Sequence, residues 1–301
     1  MDRFQLMNVF VAVAEEEGFA AGARRLRMSP PAVTRAVAAL EERLGVKLLH
    51  RTTRHVRTTE VGQRYLDDAR RILAEADEAD EAAAGINAEP RGRLVVTAPV
   101  LFGRLFVMPG IVEYLKRHPD TEVSAVFVDR VVNLIEEGLD VGVRIGELPD
   151  SSMRALLVGS VRVVLCASKE YLRQRGVPRV PQDLLEHSII ASSAGGNAID
   201  WRFGGRALRL QPRLTVTTND AAIEAALRGF GITRLLSYQV ASQLEAGKLR
   251  VVLDEHEPSP RPIHIVHRER RHASTKVRAF IDLMAERLRA DPALSSRVNR
   301  F

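Results

Sequence analysis

Nine lysines and arginines, against only two acids (Glu41 and Glu42), lie between Ala20 and Arg57. Guanidinium groups at that density suit phosphate chemistry. Each can neutralise one backbone charge of a nucleic acid, and a well-placed arginine can grip a guanine edge with two hydrogen bonds. This local surplus exceeds the +6 carried by the whole 301-residue chain. Between Asp67 and Glu89 the sign reverses, with eight acids against Arg70 and Arg71. A basic block followed by an acidic segment suggests a polyanion-binding head on a separate stalk. On charge alone, a solvated basic face is the competing reading.

Other chemistry finds few candidates. There is no Gly-x-Ser-x-Gly elbow, no Gly-x-x-x-x-Gly-Lys phosphate loop and no His-Glu-x-x-His metal motif. No catalytic residue, metal or cofactor is therefore expected. His264 and His267 flank a strand and read as structural or solvent-facing. Cys166, the single cysteine, falls in an apolar strand pattern and is expected in a core. One cysteine allows no internal disulfide, which fits a reducing cytoplasm. No stretch approaches the ~20 apolar residues of a membrane span. The N-terminus also lacks the basic start and cleavage site of a signal peptide, so no membrane partner is expected.

The elements that must carry the arginines follow from spacing. Leu6, Val9, Phe10 and Val13 mark one face of a helix from about residue 3 to Glu17, ended by Gly18. A short helix fits Ala20 to Arg27. Met28-Ser29-Pro30 breaks the chain, because proline disfavours helical geometry in the residue before it. Ser29 can then cap a third helix that tolerates Pro30 and Pro31 in its first turn. That helix buries Val33, Val37, Leu40 and Leu44, stops at Gly45, and exposes Pro31, Thr34, Arg35 and Ala38. Two helices joined by a tight turn, the second exposing small residues and one arginine, describe a helix-turn-helix. Arg35 would clamp a phosphate or a guanine edge. Val46, Leu48 and Leu49 suggest a short strand. Arg51, Arg54 and Arg57, interleaved with threonines, suit a two-stranded wing against phosphates. A generic three-helix packing unit is the alternative.

The run AAGARRLRMSPPAVTRAVAALEERLGVKLLHRTTRHVRTTEVG resembles the N-terminal signature of the LysR-type transcriptional regulators, densely over about residues 2–65 and more loosely to about residue 290. The resemblance places Pro30, Pro31, Thr34 and Arg35 at the DNA-contacting start of the recognition helix, and Arg51, Thr52 and Arg54 on the wing. Thr59 is a plausible cap for the next helix, in which Tyr65, Ala69, Ile72, Ala76, Ala79, Ala83 and Ile86 form a heptad seam. A long helix packed on its own effector domain is the other reading. By resemblance such helices pair antiparallel to make the dimer.

After the polar linker 87–92, strands and helices alternate: strands at 94–98, 122–127 and 139–143, with helices at Phe102–Arg117 and Val131–Glu137. A second unit begins near 161–167 and includes Ser188–Ala191, the alternating run 208–216, helix Asp220–Arg228 and strand 231–236. The segment 262–267 and helix Thr275–Arg289 would return the chain to the first unit. The expected class is α/β overall: a winged helix-turn-helix (1–58), a linker dimerisation helix and hinge (59–90), and a two-lobed effector-binding domain (91–301). Lobe 1 would take about 91–160 and 266–301, and lobe 2 about 161–265. Mostly parallel sheets are expected, with a ligand cleft between the lobes. The resemblance implies a fold similar to a periplasmic binding protein.

Effector candidates are loops at strand ends. Pro99, Val100, Leu101 and Phe102 open a helix whose free amides can hold a carboxylate. By resemblance, many relatives carry a hydroxyl residue where Pro99 stands. Asp129-Arg130 and Arg144-Ile145-Gly146 match one subgroup of the family; Arg130 or Arg144 can pair with an anion, while Asp129 and Arg130 can equally support the hinge. Ser192, Ser193 and Asn197 can donate hydrogen bonds, and Thr218, Asn219 and Asp220 start another helix. The implied partners are promoter double-stranded DNA, a small-molecule effector of anionic type, a second copy of the chain with a tetramer favoured, and RNA polymerase. Competing readings are a small-molecule-binding protein whose basic head serves only assembly, and an enzyme built on the C-terminal lobes.

Overall fold

The computed structural model describes residues 1–51, 56–84, 89–148, 153–194, 200–268 and 274–294. Two units emerge, one built on Met1–Ala88 and the other on most of the chain from Glu89 onward. The first starts with α1 (Arg3–Glu15), whose start is sealed by a reciprocal cap between Asp2 and Gln5. There follow α2 (Phe19–Arg25) and α3 (Pro30–Leu44), which ends on left-handed Gly45, φ 67°. Strands β1 (Leu49–Arg51) and β2 (Val56–Thr58) pair antiparallel, and α4 (Glu60–Ala84) closes the unit. The strand begins at Leu49 rather than Val46, which is exposed.

Val33, Val37 and Leu40 are buried with Phe10, Val13 and Leu48, as the i, i+4, i+7 spacing requires. The same core takes in Leu66 and Ala69 of α4, with Tyr65 and Ile72 against it; the Phe10 and Tyr65 rings lie 5.6 Å apart. Three of the seven seam positions, Tyr65, Ala69 and Ile72, thus pack inside their own chain. Of the remaining seam positions, Ile86 lies outside the described residues.

The second unit contains two five-stranded sheets. One has the order β4-β3-β5-β14-β6, from β3 (Gly92–Ala98), β4 (Thr121–Phe127), β5 (Val141–Ile145), β6 (Met153–Val161) and, much later, β14 (Arg261–Arg268). Between β3 and β4 run α5 (Val100–Phe102), one wide π-type stretch (Gly103–Val107) and α6 (Met108–Arg117), in effect the single helix expected. The other sheet, β11-β8-β12-β7-β13, uses β7 (Val163–Ser168), β8 (Ile189–Ser192), β11 (Leu214–Val216), β12 (Ile232–Leu236) and β13 (Leu249–Val252). Its helices are α7 (Lys169–Arg175), α8 (Asn219–Leu227) and α9 (Ala241–Glu245); β9 (Asp200–Phe203) and β10 (Arg206–Arg209) make a separate hairpin. Finally α10 (Thr275–Ala290) packs Phe280 edge-on against Tyr114 of α6, whose hydroxyl donates to the Lys276 carbonyl at 3.0 Å.

Several expectations change. Both sheets are mixed, because β14 runs antiparallel to β5 and β6, and β7 antiparallel to β12 and β13. Residues 131–137 form no helix; Leu134 and Leu139 are buried anchors of a turn closed by a 2.8 Å bond between them, with Gly138 at φ 63°. The run 208–216 is two strands in two sheets, since Pro212 lacks the amide a continuous strand needs. Cys166 is fully buried between Thr233 and Val251, and burial alone pushes its thiol up to about 12.

Gly62 lies where α4 passes under the wing: a Cβ there would stand 1.9 Å from the Leu48 carbonyl oxygen. Gly62→Ala is expected to destabilise the first unit by about 3 kcal/mol, as overpacking does. Thermal melting checks it; an unchanged midpoint would contradict the close approach.

Candidate nucleic-acid and effector sites

The face of α3 opposite its buried stripe is bare. Ser29, Pro30, Pro31, Thr34, Arg35 and Ala38 are all exposed. Ser29 occupies the cap position, yet its side chain makes no capping bond. The reason is local: Pro31 has no N–H, and the Ala32 amide is already taken by the Ser29 carbonyl at 2.9 Å. Its hydroxyl is left uncommitted at the helix start. Thr34 donates its hydroxyl back to the Pro30 carbonyl at 3.0 Å, leaving its methyl group and oxygen lone pairs outward.

Of the basic block, Arg25 and Lys47 are spent on internal partners, Glu15 at 2.6 Å and Glu41 at 2.8 Å. Arg24, Arg27, Arg35 and Arg57 are exposed and have no ion pair among the described residues. In the wing, Arg57 stands opposite His50, and Arg51 opposite Val56. Thr52 and Arg54 lie outside the described residues, as does Asn197.

Glu41, counted in the sequence only as a negative charge, is buried. Its Oε1 accepts from the Leu48 and Leu49 amides at 3.0 and 3.2 Å, and its Oε2 from Lys47. Burial pushes the carboxyl up, but the Lys47 bond and the two amides outweigh it and hold it below the ordinary glutamate range. One carboxylate thus straps the recognition helix to the chain entering the wing.

In the second unit, the Val100 amide at the start of α5 already has a partner: it donates to Asp129 Oδ1 at 3.0 Å. The expected empty anion position is filled by the protein's own carboxylate. Leu101 and Phe102 are buried core residues, whereas Val100 is exposed and Pro99 half-buried. Arg144 donates to the Val132 carbonyl at 3.1 Å, and Arg130 is exposed. Ser193 turns both its amide and its hydroxyl to the Val216 carbonyl, bringing the 192–193 loop beside the strand that leads into Thr218. Thr218 caps α8 by accepting from the Ala221 amide, and Asn219 is the first residue of that helix.

The two sheets meet at groups that sequence spacing did not reveal. Tyr238, after β12, packs edge-on against Phe102 and Phe106 with centroids 5.3 and 5.7 Å apart. Burial, with the Asp129 carboxylate nearby, raises its phenol above the ordinary range despite a hydrogen bond from Gln239. Arg104 reaches Asp220 across the same seam at 3.6 Å. Where the chain crosses between sheets, Arg162 and Ser237 exchange hydrogen bonds, and Arg162 pairs with Glu257 at 3.3 Å. Among the described residues no helix is long and apolar enough to cross a membrane, and no metal-binding cluster occurs.

Residues 4–63 match the model of the bacterial regulatory helix-turn-helix proteins of the lysR family, and residues 87–289 that of the LysR substrate binding domain. The transcriptional activator AaeR of Escherichia coli is 32% identical over 293 residues, covering 95% of this chain and 94% of AaeR. The solved structure of the regulator CrgA of Neisseria meningitidis is 31% identical, with a TM-score of 0.61 over 94% of this chain and 98% of that one. A full-length OxyR variant from Pseudomonas aeruginosa shares the fold over 99% of each chain, at TM-score 0.71 and 17% identity.

The Glu41 strap has a pH signature. Because its folded carboxyl titrates below the unfolded value, its contribution is complete above the unfolded pKa and is lost as pH falls through the folded one. Glu41→Gln is expected to cost about 2 kcal/mol at pH 7, with the gap to wild type closing below about pH 4. Denaturant titration of both proteins across pH measures it; a pH-independent gap would count against the strap.

Proposed function

The chain belongs to the LysR-type transcriptional regulators, DNA-binding proteins that answer to a small-molecule effector, and on that premise we propose which of its parts read DNA and which read the effector. The exposed, unpaired Arg35 on a helix buried only along its opposite stripe carries the DNA assignment. Laid in the major groove, α3 presents Pro30, Pro31 and Thr34 to base edges and the Ser29 hydroxyl to a phosphate, while Arg35 takes a phosphate or a guanine. Arg51, Thr52 and Arg54 of the wing, joined by Arg57, follow the backbone. Residues 1–58 are the reading head, 59–90 the dimerisation helix and hinge, and 91–301 the effector domain, with a cytoplasmic homo-oligomer as the working form. A tetramer and contact with RNA polymerase belong to the same reading.

The effector site is assigned to the seam between the two sheets, around Pro99, Val100, Asp129, Arg130, Arg144, Ser192, Ser193, Asn197 and Asn219. Leu101 and Phe102 support it from beneath. Two sheets hinged at Arg162, Ser237 and Glu257 support a mechanism in which effector binding selects one closure of the lobes and changes how the DNA heads are spaced.

Arg35→Ala is expected to weaken binding to a promoter duplex about 10- to 100-fold and to lower the salt slope by about one. Gel shifts over a salt series read both; unchanged affinity would place the reading face elsewhere. An anionic effector seated at α5 must displace Asp129. Asp129→Asn is therefore expected to tighten its binding about tenfold, the equivalent of removing one modest repulsion. Thermal-shift titration with hits from a metabolite panel tests this, and unchanged or weaker binding would move the anion site away from the helix start.

A further inference from the structure

Glu15 closes α1, and its side chain is only 10% exposed. Its two oxygens serve two different helices. Oε2 accepts from Arg25 at the end of α2 at 2.6 Å, and Oε1 accepts from Arg70 of α4 at 2.9 Å. Glu16 and Asp67 stand 3.6 Å from the same two guanidinium groups. One carboxylate, at the end of the helix against which α3 packs, therefore grips the first helix of the helix-turn-helix and the stalk at once.

We propose that Glu15 is a positioning residue for DNA recognition: through Arg70 it fixes the angle at which the stalk helix leaves the reading head, and so the half-site spacing that a dimer accepts. The proposal rests on the DNA-binding reading given above. Apolar contact between α1 and α4, through Phe10, Tyr65 and Ala69, holds the two helices together but has little directional preference. The charge-assisted hydrogen bond from Arg70 to Glu15 Oε1 does have direction, and it fixes rotation about that contact. Leverage makes the angle matter. α4 runs from Glu60 to Ala84, a length of about 37 Å at 1.5 Å per residue. A swing of about 10° at its base would carry the far end about 6 Å, nearly two base-pair rises. Symmetric dimers read half-sites at fixed separations, so such a swing changes which spacing fits.

The test uses the full-length protein and a duplex that wild type selects from a random-sequence library. The spacer is lengthened and shortened by one and two base pairs, and a single half-site duplex serves as the control. Wild type is expected to disfavour the altered spacers about tenfold or more. Arg70→Gln and Glu15→Gln are expected to cut that discrimination to about threefold or less while half-site affinity stays within about twofold. Arg70→Lys, which keeps the charge, should recover part of the discrimination, and Arg25→Gln should leave it intact. If Glu15→Gln does not fold, Arg70→Gln, altered at a half-exposed position, carries the test by itself. Wild-type spacing discrimination in Arg70→Gln, or equal loss of half-site and full-site affinity, would overturn the proposal. Failure of wild type to select any duplex would instead remove the DNA-binding reading beneath it.

Discussion

The packing of Val33, Val37 and Leu40 onto Phe10 and Val13 is the contact from which the DNA-reading surface follows. A helix offered to a groove has to be held from behind, because any partner on its front face would have to be removed before DNA could enter. Here the back is held by apolar burial, which needs no directional chemistry. The front carries only short side chains and Arg35. Prolines at its start remove amides that would otherwise ask for a cap, and so free the Ser29 hydroxyl.

Two buried or nearly buried carboxylates give that apolar packing its orientation. Glu41 joins the recognition helix to the wing through two amides and a lysine, and Glu15 joins α1 to α2 and α4 through two arginines. Both also settle which basic residues face outward. Lys47 and Arg25 are drawn into internal pairs, whereas Arg24, Arg27, Arg35 and Arg57 are exposed and make no ion pair among the described residues. The surplus of positive charge in the sequence is thus sorted by its acids.

The effector unit follows a different logic. Its two sheets are joined by the chain crossings near Arg162 and Glu257, and they touch through Tyr238, Phe102 and Phe106. The helix start that fold precedent would offer to an anion is already satisfied by Asp129. Any ligand for that position would compete with a group of the protein itself.

The recognition helix, its turn and its stop were legible in the sequence because helical periodicity is local: Val33, Val37 and Leu40 bury as their spacing requires, and Gly45 ends the run in the left-handed region. Thr59 likewise caps α4, its hydroxyl accepting from the Gly62 amide at 2.8 Å. The fate of Glu41 and Glu15 was not legible, since an acid's burial depends on cations and amides brought from elsewhere in the chain. Neither was the strand β6, whose pairing with β14 joins residues about a hundred positions apart, nor the turn at Leu134–Leu139, where a helix-like pattern yields to two buried leucine anchors. The seam of α4 shows the same division. Its period was written in the residues, but whether Tyr65 and Ala69 face a second copy or their own α1 was decided by tertiary packing, because an apolar stripe specifies that it will be covered and not by what.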